Sequence, residues 1–246
     1  MRIGIVSDVH GNVPALEAVL RHMGAVDRLI CLGDFVGYGP WPNECVDMLR
    51  ARDVVSIAGN HDLAAIGTIS TEDFNPDAAR AAAWTAEQLS PGTRAFLESL
   101  DPLREADGVT LAHGSPREPV WEYLLSLESA TSNFPEFATT LCLVGHSHVP
   151  CLFVQRPGGE VAGSYVEPGT RLTIGPERYI ANPGSVGQPR DRDARAAYAV
   201  LDDERTGVKS PSLEWQRVDY DIAAVQKQIL AVGLPRYLAD RLSRGS

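Results

Sequence analysis

Three times in the first quarter of the chain, a short β-branched run stops at a polar motif and gives way to apolar residues at helical spacing. Arg2 to Val6 runs into Asp8, and beyond Gly11-Asn12 the positions Val13, Leu16, Val19 and Leu20 predict an amphipathic helix. Arg28 to Leu32 ends at Gly33-Asp34, and Pro42 stands near the start of a helix carrying Val46, Met48 and Leu49. Val54 to Ile57 runs into Gly59-Asn60-His61-Asp62. Strands alternating with helices predict an α/β layer architecture with parallel strands, and such sheets place ligands outside the carboxyl ends of their strands.

The middle of the chain reads as helix. Pro76 to Leu89 is alanine-rich, and Ser90-Pro91 opens a second helix through Leu100, with proline tolerated in the first turn. Strands follow at Val109 to Ala112, ending in His113, and at Leu141 to Val144, ending in Gly145-His146. From Cys151 onward, short runs at Cys151 to Val154, Arg171 to Ile174, Tyr179-Ile180, Ala197 to Leu201 and Leu213 to Val218 lie between Gly and Pro turns. Taken alone, this stretch predicts a second, antiparallel sheet. Asp221 to Val232 predicts a closing helix with an apolar stripe of Ile222, Val225, Ile229 and Leu230. With no internal repeat, charge block or linker, the expectation is one domain over residues 1–246.

Composition narrows the partners. A chain of 246 residues that is 44% hydrophobic can bury a substantial core. A net charge of −10 disfavours nucleic-acid binding, which usually relies on a basic footprint, but permits a small phosphate ester at a local cationic site. The N-terminus turns polar at Ser7-Asp8, too early for a signal-peptide core, and no apolar run approaches the roughly 18 residues of a membrane span. The expected protein is soluble and cytoplasmic, with no membrane partner; the oligomeric state stays open. Four cysteines, at 31, 45, 142 and 151, form no Cys-x-x-Cys pair, so buried thiols are expected rather than a zinc site or a disulfide framework.

The histidines change the picture. Five of six fall in Asp8-Val9-His10, Gly59-Asn60-His61-Asp62, His113-Gly114 and Gly145-His146-Ser147-His148, with Gly33-Asp34 as a fifth motif. One Asp in a turn usually caps backbone groups, and one His is usually a surface or satisfied core residue. Five such motifs at strand ends exceed what capping explains, and clustered imidazoles and carboxylates suit a metal centre with nitrogen and oxygen ligands. His146 and His148, two apart on an extended segment, would face the same side. His22, on a helix with no partner motif, reads as solvent-facing.

Together these motifs resemble the calcineurin-like metallophosphoesterases, in particular their small prokaryotic phosphodiesterase branch. The family order of Asp-x-His, Gly-Asp, Gly-Asn-His-Asp/Glu, His and Gly-His-x-His is present from Asp8 onward, and the resemblance extends to Asn182-Pro183-Gly184-Ser185. It implies a four-layer αββα sandwich of two mixed β-sheets flanked by helices. It further implies two divalent transition-metal ions (Mn, Fe, Zn or Ni), with Asp8, His10 and His148 on the first, Asn60, His113 and His146 on the second, and Asp34 bridging them. The implied reaction is hydrolysis of phosphodiester or phosphomonoester bonds of small molecules, nucleotides among them, by in-line attack of a metal-bridging hydroxide. His61 would donate to the ester or leaving oxygen, and Asp62 would orient its imidazole. The alternative, a non-catalytic scaffold of the same fold for protein–protein interaction, is disfavoured because His61 and every ligand position are filled.

One departure matters for the substrate. Phosphoprotein phosphatases and symmetrical dinucleoside tetraphosphatases carry an arginine soon after Gly-Asp; here the chain reads Gly33-Asp34-Phe35-Val36-Gly37-Tyr38-Gly39-Pro40. Replacement anion contacts are therefore sought at Arg117, at Arg190 or Arg192, and around Asn182 and Gly184. Tyr38, Trp41, Trp121 and Tyr123 are candidates for a wall facing a base or aryl group.

Overall fold

Two six-stranded mixed sheets face each other in the computed structural model, which describes residues 1–203 and 211–246. The strands are β1 (Arg2–Val6), β2 (Arg28–Cys31), β3 (Val55–Ser56), β4 (Leu103–Ala106), β5 (Val109–Ala112), β6 (Leu141–Val144), β7 (Cys151–Gln155), β8 (Val161–Tyr165), β9 (Arg171–Thr173), β10 (Arg178–Asn182), β11 (Ala196–Asp202) and β12 (Ser212–Val218). The helices are α1 (Val13–Met23), α2 (Pro42–Arg50), α3 (Asn60–Ala65), α4 (Pro76–Gln88), α5 (Pro91–Glu98), α6 (Leu127–Asn133), α7 (Ile222–Ala231) and α8 (Arg236–Asp240). Strand order is β3-β2-β1-β11-β12-β9 in one sheet and β4-β5-β6-β10-β7-β8 in the other.

The alternation of β1 shows how the layers form. Ile3 and Ile5 point into the space between the sheets, where they meet Val109, Leu111, Leu141, Leu143 and Trp215. Val6 points the other way, into a cluster with Leu16 and Val19 of α1, Val46 and Leu49 of α2, and Leu97 of α5. On the far side of the second sheet, Ala112, Cys142, Val144 and Ile180 pack with Ala130 and Phe134. The result is helices, sheet, sheet, helices. A smaller cluster joins Ala78 and Ala81 of α4 to Val225 and Ile229 of α7 and Leu238 of α8.

Among the described residues, the strands after Cys151 do not form the separate antiparallel sheet that was expected. β11 pairs antiparallel with β1, carrying β12 and β9 into the first sheet, whereas β10 pairs parallel with β6 and brings β7 and β8 into the second. Local patterning marks these segments as strands but carries no information about which sheet each one joins. Elements that the hydrophobic pattern leaves unmarked are β4, β8, α6 and α8; β4 and β8 lie at the two edges of the second sheet, where alternating burial is weakest.

All four cysteines are free and buried, as expected. Burial pushes the Cys151 thiol up to about 12 and the other three upward too. Among the described residues, no helix is long and apolar enough to cross a membrane.

Candidate metal centre

The parallel trios β3-β2-β1 and β5-β6-β10 deliver their carboxyl ends to one edge of the sandwich. Asp8 and His10 follow β1, Asp34 follows β2, Asn60 to Asp62 follow β3, His113 follows β5, and His146 and His148 follow β6. The backbone must turn sharply there. Asp8, His10, Asp34, His146 and His148 all have positive φ, between 50° and 62°, a conformation that side chains other than glycine rarely adopt. Strain of this kind, about 1 kcal/mol or more per residue, persists where surrounding structure enforces it and clusters at functional sites. Rungs between the loops enforce it here: Asp8 N–H donates to Gly33 O at 3.1 Å and His10 N–H to Asp34 O at 2.9 Å. His146 and His148 converge through these two left-handed turns, not through the strand alternation that the sequence suggested.

Two groups of side chains result, Asp8, His10, Asp34 and His148, and Asp34, His113 and His146, each with ligand atoms within 4.8 Å of one another. Asp34 belongs to both. Its Oδ2 lies 3.6 Å from His10 Nε2 and 3.5 Å from His113 Nε2, while Asp8 Oδ1 lies 3.3 Å from His148 Nε2. Asn60 Oδ1 joins the second group, 3.1 Å from His113 Nε2.

The tautomers can be deduced. A carbonyl only accepts, so His10 Nδ1 donates to Val36 O at 3.0 Å, His113 Nδ1 to Leu32 O at 2.7 Å, and His148 Nδ1 to Gln188 O at 2.5 Å. With Nδ1 so engaged, Nε2 is the nitrogen that each ring turns toward its neighbours in the cluster. His146 is turned over: its Nε2 donates to Trp121 O at 3.2 Å, leaving Nδ1 as its free nitrogen. Consequently, His10 Nε2 and His148 Nε2 face each other at 3.2 Å as two acceptors. Burial holds both imidazoles well below the usual histidine range, which disfavours a second proton between them. Burial also pushes the Asp8 carboxyl up to about 7 and the Asp34 carboxyl upward. Asp8 Oδ2 and Asp34 Oδ2 are buried without a hydrogen-bond partner. Converging lone pairs and orphaned carboxylate oxygens are costly unless a cation satisfies them, and backbone-anchored imidazoles are the usual support of metal ligands. The residues therefore fit divalent metal.

His61 is placed differently. Its N–H donates to Asp34 Oδ1 at 2.8 Å, and its Nδ1 is buried with no partner. The ring packs against Gly37, where a Cβ would stand 2.6 Å from Nδ1, and Gly37 has φ +85, so glycine is required on both counts. Tyr38 and Phe74 flank the ring at 4.3 and 4.8 Å between centroids. Burial, then the charge of Arg190, hold His61 neutral. The expected contact from Asp62 to this imidazole is not made. Asp62 accepts from Val36 N–H at 3.1 Å and Gly59 N–H at 2.9 Å, closing the first turn of α3. Both residues lie in α3, where adjacent side chains diverge, so Asp62 ties two loops together instead of orienting its neighbour.

Above these groups lies an open pocket of about 150 Å³ lined by Asp34, Asn60, His61, His146 and His148, with Tyr38, Phe74, Trp121 and Tyr123 as walls and Arg190 at one side. It is smaller than the roughly 300–1,000 Å³ typical of drug-sized sites, and suits the reacting end of a ligand. Tyr123 stacks on His146, with centroids 4.1 Å apart. Four expected contacts lie elsewhere. Arg117 is 46% exposed, outside the pocket lining, and paired with Glu122. Asn182 is buried and structural: its Nδ2 donates to Gly145 O at 2.6 Å and Ser147 Oγ at 3.0 Å, and its Oδ1 accepts from Gly184 N–H at 2.8 Å. Trp41 packs with the α4, α7 and α8 cluster. Arg192 lines a separate cavity. His22 is exposed as expected, with its Nδ1 2.8 Å from Tyr198 Oη. Sequence reasoning missed Asp73, Phe74 and Asn75, which line the pocket from the segment before α4. Asn75 caps α4 through a bond from Ala78 N–H at 3.0 Å, so the Asn-Pro pair marked the turn but not its proximity to the site.

Comparison with known proteins agrees with this fold. The family model for the calcineurin-like phosphoesterase superfamily domain matches residues 1–206, and the chain belongs to that superfamily. Over 256 aligned residues it is 36% identical to an uncharacterized protein of Methanocaldococcus jannaschii, covering 99% of this chain and 98% of the relative. The crystal structure of a metallophosphoesterase from Sphaerobacter thermophilus superposes with a TM-score of 0.89 at 45% identity, over 100% of this chain and 99% of that one. A hypothetical protein from Pyrococcus horikoshii shares the fold, with a TM-score of 0.78 at 20% identity over 100% of this chain and 98% of the other.

Proposed function

We propose that this chain is a dinuclear metal-dependent phosphoesterase that hydrolyses phosphomonoester or phosphodiester bonds of small molecules. The observation that carries the reading is the shared carboxylate: Asp34 belongs to both ligand groups, and its Oδ2 has no protein partner. Asp8, His10 and His148 would hold one cation, Asn60, His113 and His146 the other, with Asp34 between them; nitrogen and oxygen donors suit Mn, Fe, Zn or Ni. When bound, the cations supply positive charge against phosphoryl oxygens and lower the pKa of water to near neutrality.

The chain's own residues do the rest. Val36 O, Leu32 O and Gln188 O fix the tautomers of His10, His113 and His148, so no reorganisation is needed when ligands engage. With Nδ1 of His61 buried against Gly37, its Nε2 is the nitrogen that serves the pocket, donating a hydrogen bond to the leaving oxygen. Tyr38, Phe74 and Trp121 restrict water around that proton. The test is hydrolysis of nitrophenyl phosphate and bis(nitrophenyl) phosphate without metal and with Mn, Fe, Zn or Ni ions in turn. Metal-dependent turnover that chelator abolishes is expected; no turnover with any of the four metals would leave the scaffold reading instead.

A further inference from the structure

Arg190 is the cation that the Gly33-Asp34 motif lacks. It reaches the pocket from the segment between β10 and β11, distant in sequence from the position where relatives with an arginine after Gly-Asp place theirs, and it lines the same wall as Asp34, His61, His146 and His148. Its contacts are neutral. Nη2 lies 3.1 Å from Gln188 Oε1 and 3.4 Å from Tyr38 Oη, and the guanidinium sits over the Tyr38 ring, 5.9 Å from its centroid. Nε is buried with no partner. Among the described residues no carboxylate is paired with it, and the acid next to it, Asp191, is held by Arg217. A guanidinium with an orphaned buried donor and no carboxylate in direct ion-pair contact among the described residues, placed beside a candidate metal centre, is suited to receive an anion.

We propose that Arg190 is the anion anchor of this pocket, a specificity-determining residue that binds a phosphoryl oxygen of the ester. The inference rests on the phosphoesterase reading above. Tyr38 links the two functions, since its ring lies under Arg190 and 4.3 Å from that of His61. The anchor and the hydrogen-bond donor thereby pack against one side chain. The other two arginine candidates do not serve: Arg117 is neutralised by Glu122, and Arg192 lines only the neighbouring cavity, whereas Arg190 stands between the two and lines both.

The experiment compares wild type, Arg190→Gln and Arg190→Lys, each loaded with Mn²⁺, using inorganic phosphate as probe. Phosphate affinity is read by calorimetry, KM and kcat separately, and metal content by elemental analysis. Arg190→Gln is expected to weaken phosphate binding and raise KM by roughly 10- to 100-fold, the worth of charge-assisted hydrogen bonds, with metal content unchanged. Arg190→Lys should recover part of the phosphate affinity, since it keeps the charge but not the fork. Unchanged phosphate affinity in Arg190→Gln would overturn the anchor, and so would a loss of thermal stability with KM intact, which would make the side chain structural. Phosphate binding that depends on Arg190 in a protein that hydrolyses no ester would defeat the enzymatic reading and leave the anchor standing.

Discussion

The backbone N–H of His61 donates to Oδ1 of Asp34 at 2.8 Å, so the loop after β3 holds one oxygen of the carboxylate while the other, Oδ2, points to imidazoles from both ligand groups. On the proposed reading this bond would orient Asp34 as a two-sided ligand. Asp34→Asn would then damage both metal positions, because an amide cannot share negative charge between cations, whereas Asp8→Asn would damage one. Calorimetric titration with Mn²⁺ should show loss of both binding events in Asp34→Asn and retention of one in Asp8→Asn. Equal losses would remove the bridging assignment.

On the proposed reading His61 would act on substrate and not on metal, since its ring packs between Tyr38 and Phe74 and lines the pocket. His61→Gln should keep metal content and melting temperature near wild type while lowering kcat by roughly 10²–10⁴. The loss should be greater for alkyl esters than for nitrophenyl esters, whose leaving oxygen needs little help. A missing metal ion in the variant would make His61 a ligand.

The convergence of the candidate ligands was legible in the sequence because each stands at the end of a strand-like run, and the sheet edge gathers strand ends whatever their separation along the chain. Asp62 was misread because the motif does not state that α3 begins at Asn60, which turns Asp62 away from its neighbour and onto Gly59 and Val36. Asn182 and Arg117 were misread because a polar side chain near a motif looks the same in sequence whether it binds ligand, pins a loop or pairs with Glu122. The assignment of β9 to β12 between the sheets depends on long-range pairing, such as Ile3 with Leu201, that alternation within a strand does not encode.

Asn182 supports the Gly145-His146-Ser147-His148 turn from beneath, through bonds to Gly145 O and Ser147 Oγ. Asn182→Ala is expected to cost about 1–3 kcal/mol of stability, the penalty for buried groups left unpaired, and to weaken metal retention with KM little changed. Thermal melting and KM measured together check this. A tenfold rise in KM at unchanged melting temperature would make Asn182 a substrate contact after all.

Metal loading should release protons. Burial raises the Asp8 carboxyl from its ordinary acidic range to about 7, so in chelator-stripped protein at pH 6 it is largely protonated and must give up that proton to bind a cation. This contribution to affinity rises with pH up to about 7 and levels off above it, where the carboxylate is already ionised. Calorimetry at pH 6 in two buffers of different ionisation enthalpy should find greater proton release in wild type than in Asp8→Asn. Equal release from the two proteins would contradict the burial account.

The most direct test of the central claim is anomalous diffraction from crystals of Mn²⁺-loaded protein. Two peaks per chain are predicted, one enclosed by Asp8, His10 and His148, the other by Asn60, His113 and His146, both within bonding distance of Asp34. A single peak, or a peak bound to Cys31 or Cys142, would contradict it.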